Sequence, residues 1–115
     1  MHNKISLWFI FYDSIDLVLK NISQNLYLTD DIHVYARNNI DKEILDILHK
    51  YNIRITYKKA DILNYISIKS KYTWSLIIEE NSYIKWEDIN NIKNNIRFEV
   101  ENLKNEEYIL IKNIK

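Results

Sequence analysis

A chain of 115 residues that contains no glycine and no proline lacks the two residues that ordinarily punctuate a fold with tight reversals. Wherever the backbone must enter the left-handed region, asparagine or aspartate has to take the position, because these side chains tolerate it best after glycine. Asn38, Asn39, Asn52 and Asn81 are among the candidates. The same absence removes functional classes: phosphate loops of the Walker and Rossmann kinds need glycine so that backbone amides can approach the ligand, and a nucleophile elbow needs it at its turn. Richness in Ile, Lys and Asn, as in AT-rich genomes, accounts for most of this bias.

Sixteen basic residues against sixteen acidic ones leave a formal charge of zero. No segment concentrates one sign, so no nucleic-acid footprint is visible. At 47% hydrophobic and 28% charged residues the composition is globular, and the length suits a single domain, residues 1–115. With no cysteine there is no disulfide, thiolate metal site or cysteine nucleophile. No apolar run is long enough for a membrane span. The opening run, 5–12, is short and is followed by Asp13 and Asp16, which reads as a first strand and not a signal peptide. A cytoplasmic protein is expected.

Hydrophobic periodicity then alternates between strand and helix. After the run at 5–12, with Asp13 or Ser14 as cap, Ile15, Val18, Leu19, Ile22 and Leu26 recur at helical spacing. A second strand is read at 32–35. The next helix is expected to be capped by Asn38 or Asn39 and to bury Ile40, Ile44, Ile47, Leu48 and Tyr51. Asp41 and Glu43 in its first turn and His49 and Lys50 in its last suit the helix dipole, and Asn52 is the expected left-handed stop. A strand at 53–57 precedes a helix at about 60–71, whose Leu63, Ile66, Ser67 and Ser70 share one side. A fourth strand at 74–78 and a helix at 86–96 follow, and 97–100 with 108–111 read as a terminal hairpin. Parallel neighbours need crossovers, so the expectation is an α/β fold: a mainly parallel sheet, helices on both faces, and a short C-terminal β-hairpin.

Chemistry concentrates at the mouth of the fourth strand, where Glu79, Glu80 and Asn81 end an apolar run. The first strand similarly runs through Tyr12 and Asp13 into an acidic helix start ending at Leu17. Asp41 closes the turn after the second strand, and Asn64 and Ser70 lie in the segment ahead of Trp74. In this order the segments resemble family-two glycosyltransferases of the GT-A fold, over roughly residues 4–96. The family has Tyr-Asn at the first strand's end, Asp-Gly-Ser-Thr-Asp after the second, Asn-x-Gly-x-x-x-Ala in the helix, and Asp-x-Asp at the fourth strand's tip. Here Ala36 and Arg37 replace the nucleobase-binding carboxylate, Ile66 replaces the glycine, and Glu79 and Asn81 replace the paired aspartates.

What the resemblance implies is a nucleotide-diphospho-sugar site. Tyr12, Asp13 and Asp41 would line its nucleoside side and Asn64 its wall, while Glu79 and Asn81 would hold Mn2+ or Mg2+ against the diphosphate. With Asn81 neutral, the cation is held by one charge fewer. The family's acceptor site and catalytic base lie downstream of this segment, where little sequence remains, so no catalytic residue is assigned. The expectation is a truncated, degenerate glycosyltransferase-like domain, inactive alone. The alternative is a non-catalytic module on the same fold, a homo-oligomer or one that joins a protein partner.

Other groupings carry less. Glu99, Glu101, Glu106 and Glu107 read as a solvated face, and His2, His33 and His49 lack ligand spacing for zinc. Trp8 and Trp74 read as core, while Tyr72, Tyr83 and Trp86 are the aromatic residues expected nearest a ligand or partner.

Overall fold

A computed structural model describes residues 4–57, 61–80, 86–94, 102–104 and 108–113. Its elements are β1 (Ile5–Phe11), α1 (Ile15–Asn25), β2 (Ile32–Ala36), α2 (Lys42–Lys50), β3 (Arg54–Tyr57), α3 (Ile62–Lys69), β4 (Trp74–Ile78), α4 (Trp86–Asn94), β5 (Asn102–Lys104) and β6 (Tyr108–Lys112).

The strands form one sheet in the order β3-β2-β1-β4-β6-β5. β1 pairs in parallel with β2 and β4, and β2 in parallel with β3. β6 runs antiparallel to both β4 and β5. The α/β, mostly parallel architecture agrees with the periodicity. The tail differs in its details: β5 falls at Asn102–Lys104, inside the stretch expected to be the turn, and β6 pairs with β4 as well as β5. The strand expected at 97–100 lies outside the described residues.

Every residue of β1, β2 and β4 is buried, as in strands covered on both faces. Alternation sorts their side chains into two clusters. Leu7, Phe9, Val34, Leu76 and Ile78 pack with Val18 and Ile22 of α1, Leu48 of α2 and Ile89 of α4. Trp8, Ile10, Tyr35 and Ile77 pack with Ile66 of α3 and Ile111 of β6. Beside that second cluster the hydroxyl of Ser70, the C-cap of α3, comes close to the sheet: Trp8 Nε1 donates to Ser70 Oγ at 2.8 Å, and Ser75 Oγ of β4 donates to the same oxygen at 2.6 Å.

Several local expectations are corrected. α2 is capped at Asp41, not at Asn38 or Asn39, and Ile47 and Tyr51 are exposed while Leu45 packs against the core. Leu63 of α3 is likewise exposed, and α3 is shorter than expected, Ile62–Lys69. Asn52 does hold the left-handed position, at φ 59°.

The chain proceeds from β1 outward to β2 and β3, then returns past β1 to build β4 on the other side. The order therefore reverses between β1 and β4, and in open α/β sheets ligands bind outside the carboxyl ends of the strands at such a reversal.

Candidate functional site

At that reversal β1 ends at Phe11, whose carbonyl accepts from Arg37 N at 2.9 Å. The next two backbone amides lie past the strand ladder and need an acceptor. Glu80 supplies it: Oε2 accepts from Asp13 N at 2.8 Å and from Tyr12 N. From the β2 side, Asn38 Nδ2 donates to the carbonyl of Tyr12 and, at 3.3 Å, to Asp13 Oδ1. The Tyr12-Asp13 turn is thus tied to the tips of both neighbouring strands. Arg37 adds a cation at the same rim, its guanidinium carbon 4.9 Å from the centroid of the Tyr12 ring.

Of the residues the sequence singled out, Tyr12 and Asp13 meet here, joined to the tip of β4 through Glu80. Glu79 is half-buried directly after β4. Asp41 and Asn64 are exposed at the beginnings of α2 and α3, and no described hydrogen bond links either side chain to Tyr12, Asp13 or Glu80. Asn64 instead uses its backbone N–H on Asp61 Oδ1, at 3.2 Å, in the helix cap. Asn81 and Tyr83 lie outside the described residues, as does the side chain of Trp86. Tyr72 sits at the opposite edge, where its hydroxyl donates to Asp30 and its ring lies beside Lys4 and Lys71.

The acidic rim of Asp13, Glu79 and Glu80 has the oxygen chemistry a hard cation takes. One of these oxygens, Glu80 Oε2, is committed to the amide pair. Among the described residues no three His, Asp or Glu side chains are gathered as a cation site. Glu79 carries the other carboxylate at the β4 tip.

Glu80, Asn38 and Arg37 stand at this rim although the motif reading gave them no part in the site. Only Glu80 carried a signal in the sequence, a carboxylate at the end of an apolar strand with no basic residue beside it.

The amino edge holds a second polar centre. Asp31 is completely buried. Its Oδ1 accepts from His33 Nε2 and from Arg54, each at 2.7 Å, and its Oδ2 accepts from Lys71 N at 2.8 Å. Burial pushes the carboxyl up, but the hydrogen bonds from His33, the Ser6 hydroxyl and the Lys71 amide outweigh it and hold Asp31 well below the usual carboxylate range. Neighbouring Asp30, hydrogen-bonded by Lys71 and then Tyr72, is lowered to about 2.

The chain matches no family model, and no curated protein matches it.

Proposed function

We propose that this chain binds a nucleotide diphospho-sugar, together with a divalent cation, in the crevice between the carboxyl ends of β1 and β4, and that it does not transfer the sugar by itself. The observation that carries the reading is the position of the Tyr12-Asp13 turn: it stands at the strand-order reversal, hydrogen-bonded to the acidic tip of β4. In this reading Tyr12, Asp13 and Asp41 line the nucleoside side and Asn64 the wall. Glu79 and Asn81 hold Mn2+ or Mg2+, whose charge offsets that of the diphosphate. Arg37, poised over Tyr12, would add a second positive group for the same phosphates. Calorimetry with Mn2+ and uridine or guanosine diphosphates tests this: heat that saturates and disappears on chelation supports the site, and no heat at millimolar ligand removes it.

A second reading is a non-catalytic interaction or oligomerisation module. It is supported by exposed apolar side chains on both faces of the sheet, Ile47 of α2 with Tyr51 at its C-cap on one and Leu63 and Ile68 of α3 on the other. Light scattering distinguishes it, since a strict monomer at high concentration argues against self-association.

A further inference from the structure

On the face of the sheet that carries Trp8, near the starts of β2 and β3, a cleft of about 500 Å³ is lined by His33, Arg54, Ile55, Thr56, Tyr65 and Lys69. That size falls within the range of small-molecule pockets. Its inner wall is packed into the core. His33 is 3% exposed, stacked flat on the indole of Trp8, with Nε2 on Asp31. Because an ionised carboxylate only accepts, Nε2 carries a proton and Nδ1 is the ring's other polar position. Arg54 is 63% exposed although one of its nitrogens is anchored on Asp31. From α3, Lys69 reaches over the ring of Tyr65, with Nζ 5.9 Å from its centroid.

The donor and acceptor balance of this cleft is one-sided. A guanidinium has five N–H groups and an ammonium three, and the Asp31 contact accounts for one of the former. Asp31 is the carboxylate in contact with the cleft's basic groups, and both of its oxygens are already engaged. What the cleft can offer a ligand is therefore mainly the N–H donors of two cations, Arg54 and Lys69. The negative end of α3 points this way and opposes an anion, but both the backbone N–H and the hydroxyl of Ser70 donate to Ile66 O in its last turn. With the whole chain at zero formal charge, the attraction is local and not a property of the overall field.

We propose that this cleft is a second ligand site, independent of the carboxyl-edge crevice, and that it takes a small phosphomonoester. Arg54 and Lys69 grip the phosphoryl oxygens, Thr56 and His33 line the base, and Tyr65 walls the remainder of the ligand. Amide and histidine-ring NMR during titration with ribose 5-phosphate, and with ribose alone, tests it. Saturating shifts confined to His33, Arg54, Thr56, Tyr65 and Lys69 are expected with the phosphate and not with ribose. Lys69→Gln, at an exposed helix position, should weaken binding about tenfold, as the loss of one charge-assisted contact does. Equal response to ribose and ribose 5-phosphate, undiminished binding in Lys69→Gln, or shifts centred on Tyr12 and Arg37 would each overturn the proposal. The first two outcomes leave the crevice reading untouched.

Discussion

The indole of Trp8 and the imidazole of His33 lie 3.9 Å apart with an interplanar angle of 2°. They are adjacent because β1 and β2 run parallel with Trp8 opposite His33 in the register. One ring belongs to the apolar cluster on the α3 face and the other to the polar centre around Asp31, so the stack joins core packing to the buried charge. Edge on, Tyr65 of α3 completes the arrangement, its centroid 6.4 Å from that of Trp8.

Trp8→Ala should therefore cost about 3–5 kcal/mol, the range for deleting a buried large aromatic. Trp8→Phe keeps most of the volume but removes the donor to Ser70 Oγ, and about 1–2 kcal/mol should be lost. Urea denaturation of both variants measures this. Equal losses would mean that the hydrogen bond, and not the packing, dominates.

Acid should loosen the amino edge. Asp31 is held below its ordinary pKa in the folded chain, so the native state binds fewer protons than the unfolded one as pH falls. The stabilisation is complete above the ordinary carboxylate range, about pH 4, and is progressively lost below it. Asp30, lowered to about 2, acts with the same sign but is exposed. Thermal midpoints followed from neutral pH to pH 2 should fall on the acid side, and the fall should be shallower in Asp31→Asn. That variant starts lower at neutral pH by about 1.5–3 kcal/mol, the worth of hydrogen bonds to a charged group.

The strands at 5–12, 32–35 and 74–78 were legible because each is a continuous apolar run that only a doubly covered sheet can bury. Helix faces were less so. In α2, residues 44 to 48 are nearly all apolar, so spacing alone could not choose between Leu45 and Ile47 for the packed side, and the sheet took Leu45. The place of β6 between β4 and β5 is a non-local pairing that no local pattern encodes. The candidate crevice was half legible: Tyr12, Asp13 and Glu79 follow from strand ends, but the acceptor role of Glu80 depends on two backbone amides, which have no signature in a sequence. The polar centre at Asp31 has no local pattern, because its partners, Ser6, His33, Arg54 and Lys71, are scattered along the chain.

With no glycine available, Asn52 carries the left-handed turn between α2 and β3, and its N–H donates to His49 O at 3.0 Å. Asn52→Ala should destabilise by about 1 kcal/mol, since a Cβ without a compensating polar group is strained there. Asn52→Gly removes the strain altogether and should be neutral or slightly stabilising at equilibrium. Denaturation midpoints of the pair check the sign, and a loss for Gly as large as that for Ala would show that the side-chain amide matters more than the backbone angle.

Glu80→Gln probes the tie across the crevice. The substitution keeps the shape and an acceptor oxygen but removes the charge that strengthens both amide contacts. The rim is partly solvated, so global stability should fall by only about 1 kcal/mol. The local effect should be larger: hydrogen exchange at the Tyr12 and Asp13 amides should accelerate, while core amides such as those of Leu7 and Leu76 follow global stability alone. If the crevice takes a nucleotide diphosphate, that ligand competes with Glu80 for the same amide pair, and the variant should bind it more tightly than the parent. Faster exchange without tighter binding would make Glu80 a structural brace and would favour the module reading. Unchanged exchange would mean that the charge of Glu80 adds nothing to the hold on the two amides.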